Sequence, residues 1–100
     1  MDNQEKTKLY QEQSQANKAK SILENELFQE SIDKLKKLYS ESLFNTGAAE
    51  TNTREKLWMA YQIVGKVEQH FKELVETGKL ASKQLESFRK DDQQKNARNC

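Results

Sequence analysis

The sequence predicts an all-α fold: a long antiparallel helical hairpin plus a short third helix, associating into a helical bundle. Three observations predict it. The 100 residues contain no proline and three glycines, so little interrupts a helix. Apolar residues recur at steps of three and four across 27–43 and again across 57–74, the spacing that holds side chains on one helical face. Capping patterns precede both stretches, Ser21-Ile22-Leu23-Glu24 and Asn52-Thr53-Arg54-Glu55.

The elements follow in chain order. Residues 1–20 hold five apolar side chains (Met1, Leu9, Tyr10, Ala16 and Ala19) among Gln and Lys. Such a segment is expected to bury little, as a polar N-terminal arm or frayed helix. The first strong helix is expected from about Ser21 to Asn45, with Asn25 as an alternative start. Its stripe is Leu27/Phe28, Ile32, Leu35, Leu38/Tyr39 and Leu43, and Glu30, Asp33, Lys34, Lys36, Lys37 and Glu41 fall between. Residues 45–51 read as a loop in which Gly47 can take positive φ.

The second helix is expected from the Asn52 cap to about Thr77. Leu57, Ala60, Val64, Val67, Phe71 and Leu74 form an a/d seam, widened by Trp58, Met59, Tyr61, Ile63 and Val75. Gly65 marks a close helix crossing on that seam or is a tolerated glycine. Thr77-Gly78-Lys79-Leu80 resembles a Schellman ending. A short third helix then runs to about Lys90 with Ala81, Leu85 and Phe88 on its apolar face. The helical domain is thus residues 21–90, and 91–100 is a polar tail.

A 70-residue core sits near the limit of independent stability. Cys100 is the only cysteine, so no internal disulfide assists. The apolar face of the second helix is too wide for one neighbour, so the expected remedy is association, either with further copies in a homo-oligomer or with another protein, and the alternative is a monomeric three-helix bundle.

Catalytic groups do not assemble in the sequence. The one thiol, Cys100, and the one histidine, His70, are thirty residues apart, and no Ser lies in a G-x-S-x-G turn. Three scattered glycines cannot build a phosphate loop. His70 has Glu73 near it on the helix, which falls short of the three or four ligands a metal site needs, and it reads as a partly exposed residue beside the seam. Glu73 and Glu76 share a face, with Lys72 and Lys79 around them, and read as solvated. The expectation is therefore no enzyme, no catalytic residue, no cofactor, no metal and no small-molecule substrate.

Nucleic acid and membrane are weighed by charge. The net charge is +1, and Trp58 and Tyr61 lack a basic groove around them. Arg89, Lys90, Lys95 and Arg98, against two acids in 89–100, make a weakly basic end that is a minor nucleic-acid candidate. No run of apolar residues is long enough for a membrane helix, and the first ten residues lack the apolar core of a secretory signal. Five acids against three lysines from Ser21 to Asn45 argue against an anionic membrane surface.

Two stretches carry a resemblance. Leu27-Phe28-Gln29-Glu30 opens the first strong helix. Arg54-Glu55-Lys56-Leu57-Trp58 leads through Val67-Glu68 to Glu76-Thr77-Gly78-Lys79-Leu80-Ala81. Across about residues 25–85 this resembles short, uncharacterised helical proteins that tailed bacteriophages encode near head and DNA-packaging genes. The resemblance implies a viral setting in the host cytoplasm or the virion, and carries no chemistry.

The expected function is that of a non-enzymatic interaction protein in phage particle assembly or packaging. Leu57, Trp58, Tyr61, Val64, Phe71 and Leu74 are its expected interface, with a second copy or a phage structural protein as partner. The alternatives are a nucleic-acid-binding packaging accessory similar in role to a small terminase subunit, and a small adaptor or inhibitor of a host protein.

Overall fold

The computed structural model describes residues 2–98, and side chains as far as Asp91. It is all-helical: α1 is Asn3–Glu24, α2 is Glu26–Asn45 and α3 is Thr51–Arg98. The chain divides into two units. One joins the first twenty residues to α3 from Lys72 onward, and the other is Ser21–Phe71.

The first unit corrects the reading of residues 1–20 as a polar arm or frayed helix outside a 21–90 domain. Asp2 Oδ1 accepts from the Glu5 backbone N–H at 2.7 Å and caps α1. Leu9, Ala16 and Ala19 are buried there, as is Ala81 of α3. The packing uses small residues. A Cβ added at Gly78 would overlap the Ala16 Cβ and stand 3.2 Å from the Glu12 carbonyl oxygen. Gln13 Nε2 donates to Ser82 Oγ at 2.8 Å one turn further along. Counting apolar residues misses this contact, because two backbones that approach closely bury area with few side-chain carbons.

Gly78 therefore does not end a helix. No glycine among the described residues has positive φ, and α3 is continuous where a turn and a short third helix were expected. Local sequence favours a C-cap at Thr77-Gly78, and tertiary packing on Ala16 overrides it. The close crossing expected at Gly65 lies at Gly78 instead, since a Cβ at Gly65 would meet nothing within 4 Å. Gly47 also keeps negative φ.

In the second unit, α2 begins after a one-residue break. Asn25 is extended (φ −69°, ψ 123°), and its side chain accepts from the Phe28 N–H at 3.0 Å. Gln29 Nε2 donates to the Leu23 carbonyl at 2.6 Å, satisfying an open acceptor at the end of α1. The chain thus starts α2 at the Asn25 cap rather than at Ser21. At the other end, Thr46 Oγ1 donates to the Ser42 carbonyl at 2.6 Å. The Arg54 guanidinium donates to the Thr46 carbonyl at 3.0 Å, placing a cation on the last carbonyls of α2.

Contacts between α2 and α3 run in opposite senses along the two helices. Phe28 meets Phe71 edge-to-face at 5.6 Å, Lys36 Nζ meets Glu68 Oε1 at 2.8 Å, and Arg54 meets Thr46. The pairing is antiparallel. Ile32 alone is buried among the described residues of Ser21–Phe71.

Candidate interaction surface

The contacts above assign the inner face of α3 in Ser21–Phe71. Leu57, Tyr61, Val64, Glu68 and Phe71 are half-buried and step by 4, 3, 4 and 3. The expected seam had Val67 where Glu68 stands. Glu68 takes the inner position because Lys36 meets it there. Val67, one residue earlier, turns outward and is 44% exposed.

The residues expected to form the interface accordingly separate. Leu57, Tyr61, Val64 and Phe71 are half-buried in the second unit, and Leu74 is half-buried in the first. Trp58 is 49% exposed and stacks on Tyr61 with ring centroids 6.0 Å apart. Five residues separate Trp58 from Ile63, which puts them about 140° apart on the helix. They look to opposite sides of the α2–α3 pair. Phe44, at the end of α2, is also solvent-exposed.

The opposite side carries the larger apolar patch, and it was not selected from sequence. On α3 it consists of Met59, Ile63 and Val67, the first two more than half exposed. On α2 it consists of Leu27, Leu35 and Leu38. The helical step places them together. Leu35 follows Ile32 by three residues, and Val67 follows Val64 by three. Leu27 precedes Ile32 by five, and Met59 precedes Val64 by five. In an antiparallel pair, equal offsets from facing residues turn to the same side. The signal was available in the sequence as these matched offsets, but it needs the inner seam to be placed first.

Charge borders this patch without crossing it. Lys34 and Glu41 lie along its edge on α2, and Lys66 along its edge on α3. Ser31 and Ser42 are its polar members on α2. His70 is exposed beside Phe71, ring centroids 6.0 Å apart. Among the described residues no three of His, Cys, Asp and Glu converge as metal ligands.

The first unit holds an open groove of about 550 Å³ between α1 and α3, with Leu9, Ala81, Leu80 and Phe88 among its lining and Glu5, Lys8 and Glu12 on the α1 side. At the basic end, Arg89 donates to Glu86 Oε1 at 3.3 Å, and Lys90 is exposed. Arg89 and Lys90 are adjacent and point about 100° apart, so they do not make one cationic face. The side chains of Lys95 and Arg98 lie outside the described residues. No described helix is long and apolar enough to cross a membrane. Neither a protein-family model, nor a curated protein, nor a solved structure matches the chain.

Proposed function

We propose that this chain is a non-enzymatic interaction module that works by protein–protein association through the exposed apolar side of Ser21–Phe71. One observation carries the reading. Within Ser21–Phe71 the paired helices bury Ile32 alone and leave Leu38, Met59 and Ile63 more than half exposed, apolar surface that a partner would cover. A contiguous patch of this kind, bordered by charge, is the ordinary signature of an interface. Pairing of helical hairpins into a bundle is the association that suits it best. The resemblance to phage helical proteins adds the setting, particle assembly or packaging.

Photo-crosslinking tests the reading. A benzophenone side chain at Ile63 is compared with one at Gln62, which lies on the outer face of α3, in cells producing the full chain. An adduct from position 63 well above that from position 62 is expected. Equal or absent adducts remove the interaction reading.

The nucleic-acid alternative has less support. Residues 1–20 and 72–100 carry eleven Lys and Arg against eight Asp and Glu, a modest excess. Arg89, one of its carriers, already pairs with Glu86.

A further inference from the structure

We infer that the occupant of this apolar side is a second copy of the chain, with its α2 laid antiparallel on α2 about a two-fold axis. The inference rests on the association reading above and names the partner.

The outward row on α2, exposed except for half-buried Ser42, is its own mirror. Ser31, Leu35, Leu38 and Ser42 step by 4, 3 and 4. Reversed about the midpoint of Leu35 and Leu38, the row reads the same. Antiparallel pairing then sets each Leu35 against Leu38 of the other copy and each Ser31 against Ser42. A two-fold contact requires this self-complementarity, because the same patch must serve both sides. An unrelated partner places no such demand on the row.

Charge selects the orientation. Lys34 and Glu41 occupy the same outer edge of α2, seven residues apart, bracketing the two leucines. Antiparallel pairing brings each Lys34 towards Glu41 of the other copy, as flanking positions do in antiparallel coiled coils. Glu41 is accessible for this. Its contact with Lys37 is 4.0 Å long, and both side chains are mostly in water. A parallel two-fold would instead lay α2 on α3 of the other copy. Lys34 would then face Lys66, and like charges at an interface edge oppose binding.

Area is sufficient. Leu27, Leu35, Leu38, Met59, Ile63 and Val67 expose on the order of 600 Å² together. Full coverage in both copies would bury at most about 1,200 Å² of this apolar surface, the lower edge of a standard specific interface. Ile63 and Val67 of both copies would then close the core beside the leucine layers.

Sedimentation equilibrium of the full chain, in reducing buffer so that Cys100 cannot link copies, tests this. The expected mass is twice 11.7 kDa at micromolar concentration. Leu38→Glu should weaken the dimer at least 100-fold while the circular dichroism stays helical, because Leu38 is 55% exposed in the single chain. Lys34→Glu and Glu41→Lys should each weaken it several-fold, and the two together should restore it. A monomer at every concentration overturns the inference, as does a dimer indifferent to Leu38→Glu or a double charge swap weaker than either single. If the chain is monomeric yet position 63 crosslinks to a protein of another mass, the second copy is wrong and the association reading stands. If position 63 crosslinks to nothing, both fall.

Discussion

Lys36 Nζ donates to Glu68 Oε1 at 2.8 Å and ties the middle of α2 to the inner face of α3. The glutamate side chain is 13% exposed and the lysine one third exposed. The pair is neither a surface bridge worth a few tenths of a kcal/mol nor a fully dry one. Glu68→Ala should cost about 1–2 kcal/mol in urea unfolding, chiefly by leaving the ammonium without its acceptor. Replacing both residues with Leu should recover that loss. A double-mutant cycle with no coupling between the two positions would contradict this account.

The same bond raises the Lys36 pKa above the usual lysine value, and partial burial opposes the rise. A raised folded-state pKa means that protonation stabilises the fold. That contribution is complete below the unfolded lysine pKa of about 10.4 and is lost as pH climbs past the raised value. Thermal melts from pH 9 to pH 12 should therefore show a larger drop in Tm for the native chain than for Glu68→Gln. Parallel curves would show that the pair contributes no pH-linked stability.

Two glycines in one helix should respond in opposite directions. Gly→Ala in a helix interior ordinarily stabilises by about 1 kcal/mol. Gly65→Ala should do so, since nothing lies within 4 Å of the new methyl group. Gly78→Ala should destabilise by about 1–3 kcal/mol, because the methyl would overlap Ala16. Ala16→Gly combined with Gly78→Ala should regain part of the loss. Equal stabilisation by both alanines would place the close crossing elsewhere.

These residues also mark what was legible in the sequence. Helical class and the inner stripe of α2 followed from steps of three and four, which report the period of the backbone directly, while the start of α2 is set by the Asn25 cap rather than by Ser21. Hydropathy places Val67 on the α3 seam where the structure has Glu68, because hydropathy does not register that a facing lysine satisfies a carboxylate. Ala16 and Ala19 carry little hydropathy, so the sequence predicts a polar arm or frayed helix over 1–20, although small side chains are what allow the approach to Gly78. Hydropathy alone points to the most apolar positions of α3 as the interface. Several of these turn inward, and the outward patch draws half its residues from α2.

The α1–α2 break should be a measurable cap. Asn25 Oδ1 accepts from Phe28 N–H, and Gln29 Nε2 donates to the Leu23 carbonyl. Asn25→Ala should cost about 1 kcal/mol, while Asn25→Asp should cost little because a carboxylate still accepts at a helix N-terminus. Gln29→Leu should cost a similar amount by leaving the Leu23 oxygen half-buried and unpaired. Equal stability of Asn25→Ala and the native chain in urea would mean that the break is held by packing rather than by its cap.

Leu9 and Trp58 together test the packing of the N-terminal helix against the half-exposed setting of the tryptophan. If residues 1–20 were an arm, Leu9→Ala would be neutral. At 8% exposure in the first unit, it should cost about 2–3 kcal/mol. A fully buried Trp58 would cost about 3–5 kcal/mol on truncation to Ala. Trp58 is half exposed, so its loss should be about 1–2 kcal/mol, made up of partial burial and the stacking on Tyr61. The smaller side chain should therefore matter more, which reverses the order that side-chain size alone would suggest. Urea midpoints for the two variants, compared at one protein concentration, decide between the two orders.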